Sequence, residues 1–394
     1  MENKLKILLL EDSAVDADLL VRHLKKVNLI FDCTRVWTKN EFISEVKDNE
    51  PDLIIADQNL PQFTGTEAFS LLKKEKKSIP FILITGTVSE KLLIEYSKQG
   101  IDDYLLKENL LRMPAAIENV ITKKKIERLN SELVETNSKL EKAYSDIRDS
   151  INYAKIIQRA MLPDEAFLEK YFPGSFVFFK PKDILSGDFF WSFKQGDTLY
   201  VAVADATGHG VPGALLAMMG NNLLNEIVNS GHLLSPAEIL TRINKKVQHL
   251  LKSTITSLQD GMDIALCSIH LKTLFFQYCG ANRPLIIERK QSIIKLNSSK
   301  KSIGGSSLSE RHFENQTIQL ESKDSIFMYS DGFVDQFSSI TSKKLTNKRL
   351  IELIISSSTR PHEYQKDFFK DYFYEWMGDE EQTDDVLLMK IHIP

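Results

Sequence analysis

Residues able to do chemistry gather at the ends of apolar runs. Glu11 and Asp12 follow LKILLL, Asp57 follows DLIIA, Thr85 follows FILI and Lys107 follows YLL. Three carboxylates at one mouth suit a hard divalent cation, and Mg²⁺ keeps waters while bridging to a phosphoryl group. Asp57 is then a candidate nucleophile, with Thr85 bonding the phosphoryl oxygen and Lys107 pairing with its charge, as an aspartyl phosphate site requires. A second set lies further along: Asp188 in LSGDFFW, Asp205 in VADATGHGVPG, Asp331 in YSDG and Asp384 in TDDVLL. Four aspartates without a histidine or cysteine cluster are oxygen ligands for Mn²⁺ or Mg²⁺ rather than zinc. Two such ions about 3.5–4 Å apart can generate a hydroxide and stabilise an in-line displacement at phosphorus. Sequence separation alone leaves a plainer alternative open, in which each aspartate is a turn residue.

The elements that must position these groups follow from periodicity. Apolar runs at 5–10, 53–56, 80–84 and 104–106, with a weaker one near 31–36, alternate with amphipathic stretches. That pattern predicts a five-stranded parallel sheet wrapped by helices, with its site at the carboxyl ends of the strands. Residues 122–161 lack Gly and Pro. Alternating steps of three and four from Ile126 reach Leu129, Leu133, Thr136, Leu140, Ala143, Ile147, Ser150, Ala154, Ile157 and Met161. This is a heptad seam weakened at Thr136 and Ser150, read as a self-associating coiled coil; a helix packed on a neighbouring domain is the alternative. Pro163 ends it. Beyond it, strand-rich runs (SFVFF, LYVAVAD, MDIALCSIHL, LFFQYCG, PLIIER, SIFMYSDG, DDVLLMKIHI) alternate with helical patterns at 211–229, 235–252, 347–356 and 361–376. An α+β domain is expected there. The three parts are 1–121, 122–161 and 162–394.

Composition narrows the function classes. The chain has 394 residues and a formal net charge of −4, with acids and bases mixed, so it lacks the basic footprint of a nucleic-acid binder. Cys33, Cys267 and Cys279 form no CxxC pair, which argues against a disulfide framework and a zinc ribbon and for a reducing compartment. MENKLKILLLED fails as a signal peptide, and no apolar run approaches the roughly 18 residues of a membrane span. The expectation is a cytoplasmic protein without membrane insertion.

The first set, on ED in LLLEDS, Asp57 in IADQNLPQFTG, Thr85 in ITGT and Lys107 in DDYLLKE, resembles a CheY-type response-regulator receiver over residues 5–121. The resemblance implies a flavodoxin-like strand order, phosphorylation of Asp57 by a sensor histidine kinase, Mg²⁺ held by Glu11, Asp12 and Asp57, and a switch aromatic at Tyr104. Glu108 departs from the family's usual proline.

The second half resembles the SpoIIE/RsbU branch of the PPM metal-dependent protein phosphatases, on PKDILSGDFFW, VADATGHGVPGALLAM, IQRAMLP, CGANRPL, YSDG and TDDVLL. That implies a β-sandwich flanked by helices with two Mn²⁺ or Mg²⁺ ions. Asp205 bridges them, Asp331 and Asp384 complete one, and Asp188 with the carbonyl of Ala206 completes the other. Gly208 and Gly210 serve the turn, His209 is structural, and Asp263 and Asp385 are supporting or capping residues. Ser186 replaces a glycine of the family's GGD, and no arginine stands out as a phosphate clamp. The implied activity is dephosphorylation of phosphoserine or phosphothreonine in a protein, a STAS-type anti-sigma-factor antagonist in a partner-switching pathway, by a parallel coiled-coil homodimer. The competing reading is a non-catalytic adaptor that sequesters a partner. A DNA-binding output is rejected for want of a recognition helix, and a cyclase because no GGDEF string occurs.

Overall fold

The computed structural model of the chain describes residues 4–26, 30–75, 77–86, 90–252, 260–305 and 312–394. Two compact units divide it, Met1–Ala143 and Tyr144–Pro394.

The first unit has strands β1 (Leu5–Leu10), β2 (Phe31–Val36), β3 (Leu53–Asp57), β4 (Phe81–Thr85) and β5 (Asp103–Leu106). They pair in parallel in the order β2-β1-β3-β4-β5. Helices α1 (Ala14–Leu24), α2 (Lys39–Asp48), α3 (Gly65–Lys74) and α4 (Glu90–Gln99) connect them, and α5 (Met113–Met161) begins after a 3-10 turn at Lys107–Arg112. A parallel sheet covered on both faces needs continuous apolar strands. LIIAD and FILIT are accordingly buried throughout. One core holds Ile7, Leu9, Ile55 and Ile84 with Met113, Ala116, Ile117 and Val120 of α5; the other holds Leu8, Leu10, Ala56 and Leu83. Thr38 with Glu41 and Thr64 with Glu67 close reciprocal capping boxes that start α2 and α3.

The helix α5 is longer than the segment assigned to a linker, starting at Met113 rather than 122, and the division between the units falls within it. Pro114 in its first turn and Pro163 just past its end are the positions a helix tolerates. Past Ile121 the apolar residues of the seam are uncovered: Ile126, Leu129, Leu133, Leu140 and Ile147 are 52, 52, 57, 60 and 61% exposed. An apolar stripe on a helix gains stability mainly by packing. Among the described residues nothing covers these five.

The second unit adds α6 (Glu165–Tyr171), β6 (Phe176–Lys180), β7 (Asp188–Gln195), β8 (Thr198–Ala206), α7 (Gly210–Val228) and α8 (Pro236–Lys252). β9 (Gly261–His270), β10 (Phe275–Ala281), β11 (Leu285–Arg289), β12 (Ser292–Leu296), β13 (Ile303–Gly304), β14 (Gln316–Gln319) and β15 (Ser325–Tyr329) come next. α9 (Asp331–Asp335), α10 (Thr346–Ser357), α11 (His362–Met377) and β16 (Val386–His392) complete it. One antiparallel sheet runs β14-β10-β9-β8-β7 with β13 on β9; the other runs β12-β11-β15-β16-β6. Alternation along each strand sends one face into the core between the sheets and the other under helices. Val201, Val203, Cys267, Ile287, Met328 and Met389 fill the middle. Ala202, Ala204 and Leu266 meet Leu224, Ile239 and Ile243 of α7 and α8, while Phe178, Phe327 and Leu388 meet Phe333, Phe369 and Phe373 of α9 and α11. The strand β7 was not among the runs expected from sequence. Its DFFWSFKQ mixes Ser and Lys into an apolar segment, and the pairing with β8 decides its state.

Phe369 is fully buried with rings of Phe176, Phe327 and Phe333 centred 5.9, 5.9 and 6.4 Å away. Replacing it with alanine is expected to destabilise the second unit by about 3–5 kcal/mol. Denaturant unfolding followed by intrinsic fluorescence should show a shift of that size; a change under about 0.5 kcal/mol, the level of a surface substitution, would contradict this packing.

Candidate functional sites

In the first unit, β1, β3, β4 and β5 deliver Glu11, Asp12, Asp57, Thr85 and Lys107 to their carboxyl ends. Glu11, Asp12 and Asp57 bring one ligand oxygen each within 4.8 Å of one another. Lys107 Nζ donates to Asp57 Oδ2 at 3.1 Å and to Asp16 Oδ2 at 3.2 Å, and stands 3.5 Å from Glu11 Oε2. Asp16 was not expected from sequence; it is a fourth acid brought in by the first turn of α1, which Ser13 caps. Arg35 of β2 donates to the carbonyls of Glu11 and Asp12 at 2.9 and 2.6 Å, holding the loop that carries both. Burial raises the Asp57 carboxyl above its ordinary range against the pull of Lys107, and raises Glu11 as well. Burial pulls the Lys107 ammonium down, but its bonds to Asp57 and Asp16 outweigh that and its pKa rises. Oδ1 of Asp57 and Oε2 of Glu11 are buried without a hydrogen bond. Buried carboxylate oxygens with no donor fit a hard cation such as Mg²⁺. Thr85 is buried at the end of β4, and Tyr104 lies across from Leu83, packed against the core beneath α2 and α3. Glu108 falls in the 3-10 turn that leads to α5.

In the second unit a row of acids crosses one sheet. Asp188 of β7 is paired with Asp205 of β8, and Asp205 with Asp263 of β9. Directly opposed residues share a face, and like charges so placed repel. The other sheet contributes Asp331 at the start of α9 and Asp384 just before β16. Arg283, between β10 and β11, enters this group: its Nη2 donates to Asp205 Oδ2 and, at 2.7 Å, to Asp331 Oδ2, and lies 3.6 Å from Asp263 Oδ2. Arg283 lies in the CGANRPL motif, but no arginine had stood out from the sequence as a phosphate clamp. Asp205 is pushed up to about 8, first by burial, opposed by Arg283, and further by Asp331, Asp263 and Asp384. Asp188, fully buried, is raised well above the carboxylate range by burial and by Asp205, and its Oδ2 has no hydrogen-bond partner. Asp384 is raised by burial and by Asp331. Carboxylates that resist ionisation together, one with an orphaned oxygen, fit a site for divalent cations.

The loop before Asp188 is held from three sides. Gln158, buried near the end of α5, donates Nε2 to the Ser186 carbonyl at 2.7 Å and accepts the Ser186 amide at 3.2 Å. Asp385 accepts the amides of Lys182 and Gly187, each at 2.7 Å, so it anchors this loop rather than capping. The Gly187 carbonyl accepts the amide of Ala206, the residue after Asp205. A Cβ on Gly187 would stand 2.6 Å from the Gly208 carbonyl oxygen and 3.0 Å from that of Ala206. Gly208 and Gly210 turn the chain into α7 with φ of 87° and 66°. His209 Nδ1 lies 2.6 Å from Asp183 Oδ2, tying that turn to the same loop. Gln336, fully buried, accepts the Thr383 amide at 3.0 Å and so fixes the residue before Asp384.

Residues 195–394 match the family model of stage II sporulation protein E (SpoIIE), and residues 7–118 match that of the response regulator receiver domain. Among solved structures, the SiaA-PP2C domain of Pseudomonas aeruginosa is 26% identical with a TM-score of 0.58, covering 64% of this chain and 99% of that one. Among curated proteins, hybrid signal transduction histidine kinase G of Dictyostelium discoideum is 32% identical over 107 residues, which is 26% of this chain and 3% of that one. The regulatory protein LuxO of Vibrio cholerae is 28% identical over 116 residues, 29% of this chain and 25% of that one. The chain thus spans a quarter or less of the length of these two curated relatives.

The geometry of the acidic site sets its response to pH and to substitution. An aspartate that ionises at 3.8 when unfolded and at about 8 when folded favours the fold below the first value and loses that contribution as pH rises through the second. Chelator-treated protein should therefore melt at a lower temperature at pH 8 than at about pH 6, and Asp205→Asn should flatten the trend. Scanning calorimetry showing a rise over that interval would contradict the assigned environment. Gly187→Ala should distort the Asp188 loop and cost about 1–3 kcal/mol; unchanged stability and unchanged Mn²⁺ binding by calorimetry would argue against the close approach.

Proposed function

Because the chain belongs to the SpoIIE family through residues 195–394, we propose that it is a protein serine/threonine phosphatase whose activity is set by phosphorylation of its receiver unit. The observation that carries this reading is the convergence of Asp188, Asp205, Asp331 and Asp384, from two sheets, on one acidic cluster that runs from buried Asp188 to partly exposed Asp331. PPM phosphatases work with Mn²⁺ or Mg²⁺. In this chain Asp205, Asp188, Asp331, Asp384 and the Ala206 carbonyl would hold them. Bound ions would supply charge for the phosphoryl oxygens and activation of the attacking water. The protein's part is to keep the aspartates where repulsion would otherwise spread them. Gln158 and Asp385 fix the loop of Asp188, Gln336 fixes the approach to Asp384, and the β7–β8–β9 ladder fixes Asp205.

The input reading rests on the triad of Glu11, Asp12 and Asp57 beside Lys107. A sensor histidine kinase donates the phosphoryl group to Asp57, with Mg²⁺ at the triad, Thr85 and Lys107 holding the oxygens and Tyr104 responding. The exposed seam of α5 pairs two copies in parallel, which supports treating 122–161 as a coiled-coil linker between a receiver at 1–121 and a phosphatase domain at 162–394. The substrate is a phosphoserine or phosphothreonine protein, of STAS type in a partner-switching pathway, in the cytoplasm. Among the described residues no helix is long and apolar enough to cross a membrane.

Hydrolysis of a phosphoserine protein should require Mn²⁺ or Mg²⁺ and fall about a hundredfold or more in Asp205→Asn; turnover unchanged by chelator would leave an adaptor as the better reading. Beryllofluoride with Mg²⁺ should change that turnover in the wild type and leave Asp57→Ala unaffected. One residue inserted after Leu140 rotates the downstream half of the helix by about 100° and should uncouple the response, whereas seven should preserve much of it. Equal regulation in both insertions, or a monomer by sedimentation, would overturn the paired-helix transmitter.

A further inference from the structure

Arg283 is unusual among the ion pairs of the second unit. A structural arginine spreads its planar fork so that each nitrogen meets its own acceptor, as Arg289 does by donating Nε and Nη2 to the two oxygens of Asp324 at 2.9 and 2.6 Å and Nη1 to Glu321 at 2.8 Å. Arg283 instead directs a single nitrogen, Nη2, at three carboxylates, those of Asp205, Asp263 and Asp331, while its buried Nε has no hydrogen-bond partner. It acts there as a point cation. The side chain is 11% exposed, and its backbone is fixed, since the Tyr278 hydroxyl donates to the Arg283 carbonyl. Its neighbour Asn282, in the left-handed region at φ 56°, donates Nδ2 to Asp263 Oδ2 at 2.7 Å. The three acids come from β8, β9 and the start of α9, so one guanidinium nitrogen spans both sheets.

We propose that Arg283 is an intramolecular cation that holds the position between Asp205, Asp263 and Asp331, and that a divalent ion enters this position only by displacing it. The inference rests on the metal-dependent reading of the same site. Asp205, Asp263 and Asp331 crowd one guanidinium, with Asp188 also within its field, which leaves the site short of positive charge and attractive to a divalent cation. Among the described residues the three carboxylates around Arg283 do not meet the mutual spacing reached by Glu11, Asp12 and Asp57. Loading therefore exchanges one cation for another: the guanidinium bonds to Asp205 and Asp331 break and the oxygens turn to the ion. Because the arginine is tethered, it competes at an effective concentration that dilution does not lower. The metal-free site stays closed, since its repulsions are partly balanced, and the affinity for the ion is lower than the carboxylates alone would give.

The test is calorimetric titration of Mn²⁺ into chelator-stripped full-length protein carrying Asp12→Ala and Asp57→Ala, which removes the Glu11–Asp12–Asp57 cation site, with the second unit as wild type, Arg283→Gln, Arg283→Lys or Asp205→Asn. Arg283→Gln should bind Mn²⁺ about tenfold or more tightly than wild type, because the acids it leaves unpaired gain more from the ion. Arg283→Lys should fall between them. Metal-free Arg283→Gln should also melt lower than metal-free wild type, with the gap closing once Mn²⁺ is bound. If the metal-free variant does not fold, its Mn²⁺-loaded form can be titrated with a chelator of known affinity and judged by the same ratio. Equal or weaker Mn²⁺ binding by Arg283→Gln, with wild-type binding intact and lost in Asp205→Asn, would overturn the displacement and leave the metal site standing. No Mn²⁺ binding by any of the four proteins would overturn the metal-site reading and this inference together.

Discussion

Like charges set opposite each other on adjacent strands repel, and the second unit sets three of them in line: Asp188, Asp205 and Asp263 across β7, β8 and β9. Burial makes the repulsion worse, because water no longer screens it. Asp331 and Asp384 then arrive from the other sheet. A fold gains nothing in stability from such an arrangement unless positive charge completes it. The raised carboxyls of Asp188, Asp205 and Asp384 and the wedged guanidinium of Arg283 are direct consequences.

The surrounding framework is the means of holding those acids in place. Strand register sets Asp205 and Asp263 without further help, since a slip of one residue would send them to the opposite face. Asp188 begins its strand, so its position depends on the preceding loop, and that loop is gripped by the amide side chain of Gln158 and the carboxylate of Asp385. Gly332 lets the start of α9 lie against the backbone of Asp385, where a Cβ would stand 2.0 Å from its carbonyl oxygen. Asp331 is thereby set beside the strand that begins just after Asp384. The receiver unit solves a similar problem differently. There the acids lie within ligand distance of one another, and Lys107 bridges them from the side.

Much of this was legible in the sequence, for physical reasons that differ by element. Strands β1, β3 and β4 are readable because a parallel sheet buried on both faces demands unbroken apolar runs, and each of these ends at a polar residue of the site, whereas the half-buried edge strand β2 gives a weaker signal. The four aspartates stood out by type as candidate hard ligands, and the motifs around them suggested their order. What escaped notice depends on contacts distant in sequence. Arg283 lies 78 residues from Asp205 and 48 from Asp331, so the crossing from one sheet to the other gives it its place. Gln158 binds only backbone, which carries no residue-type signal. Asp385, beside a stronger candidate, read as supporting or capping, and the loop of Asp188 that both its oxygens serve lies 198 to 203 residues away. The strand β7 is half disguised by its polar residues until β8 is there to pair with it.

If the acidic row exists to hold divalent cations, the ions must be visible among its carboxylates. The most direct measurement is anomalous diffraction at the manganese edge from crystals of the full-length protein grown with Mn²⁺. Density for the ion is expected in contact with Asp205, with Asp188 or with Asp331 and Asp384 among its ligands, and the Arg283 guanidinium should have moved from between Asp205 and Asp331. Well-ordered crystals in which Mn²⁺ lies only on the surface, with Arg283 still bonded to both aspartates, would contradict it.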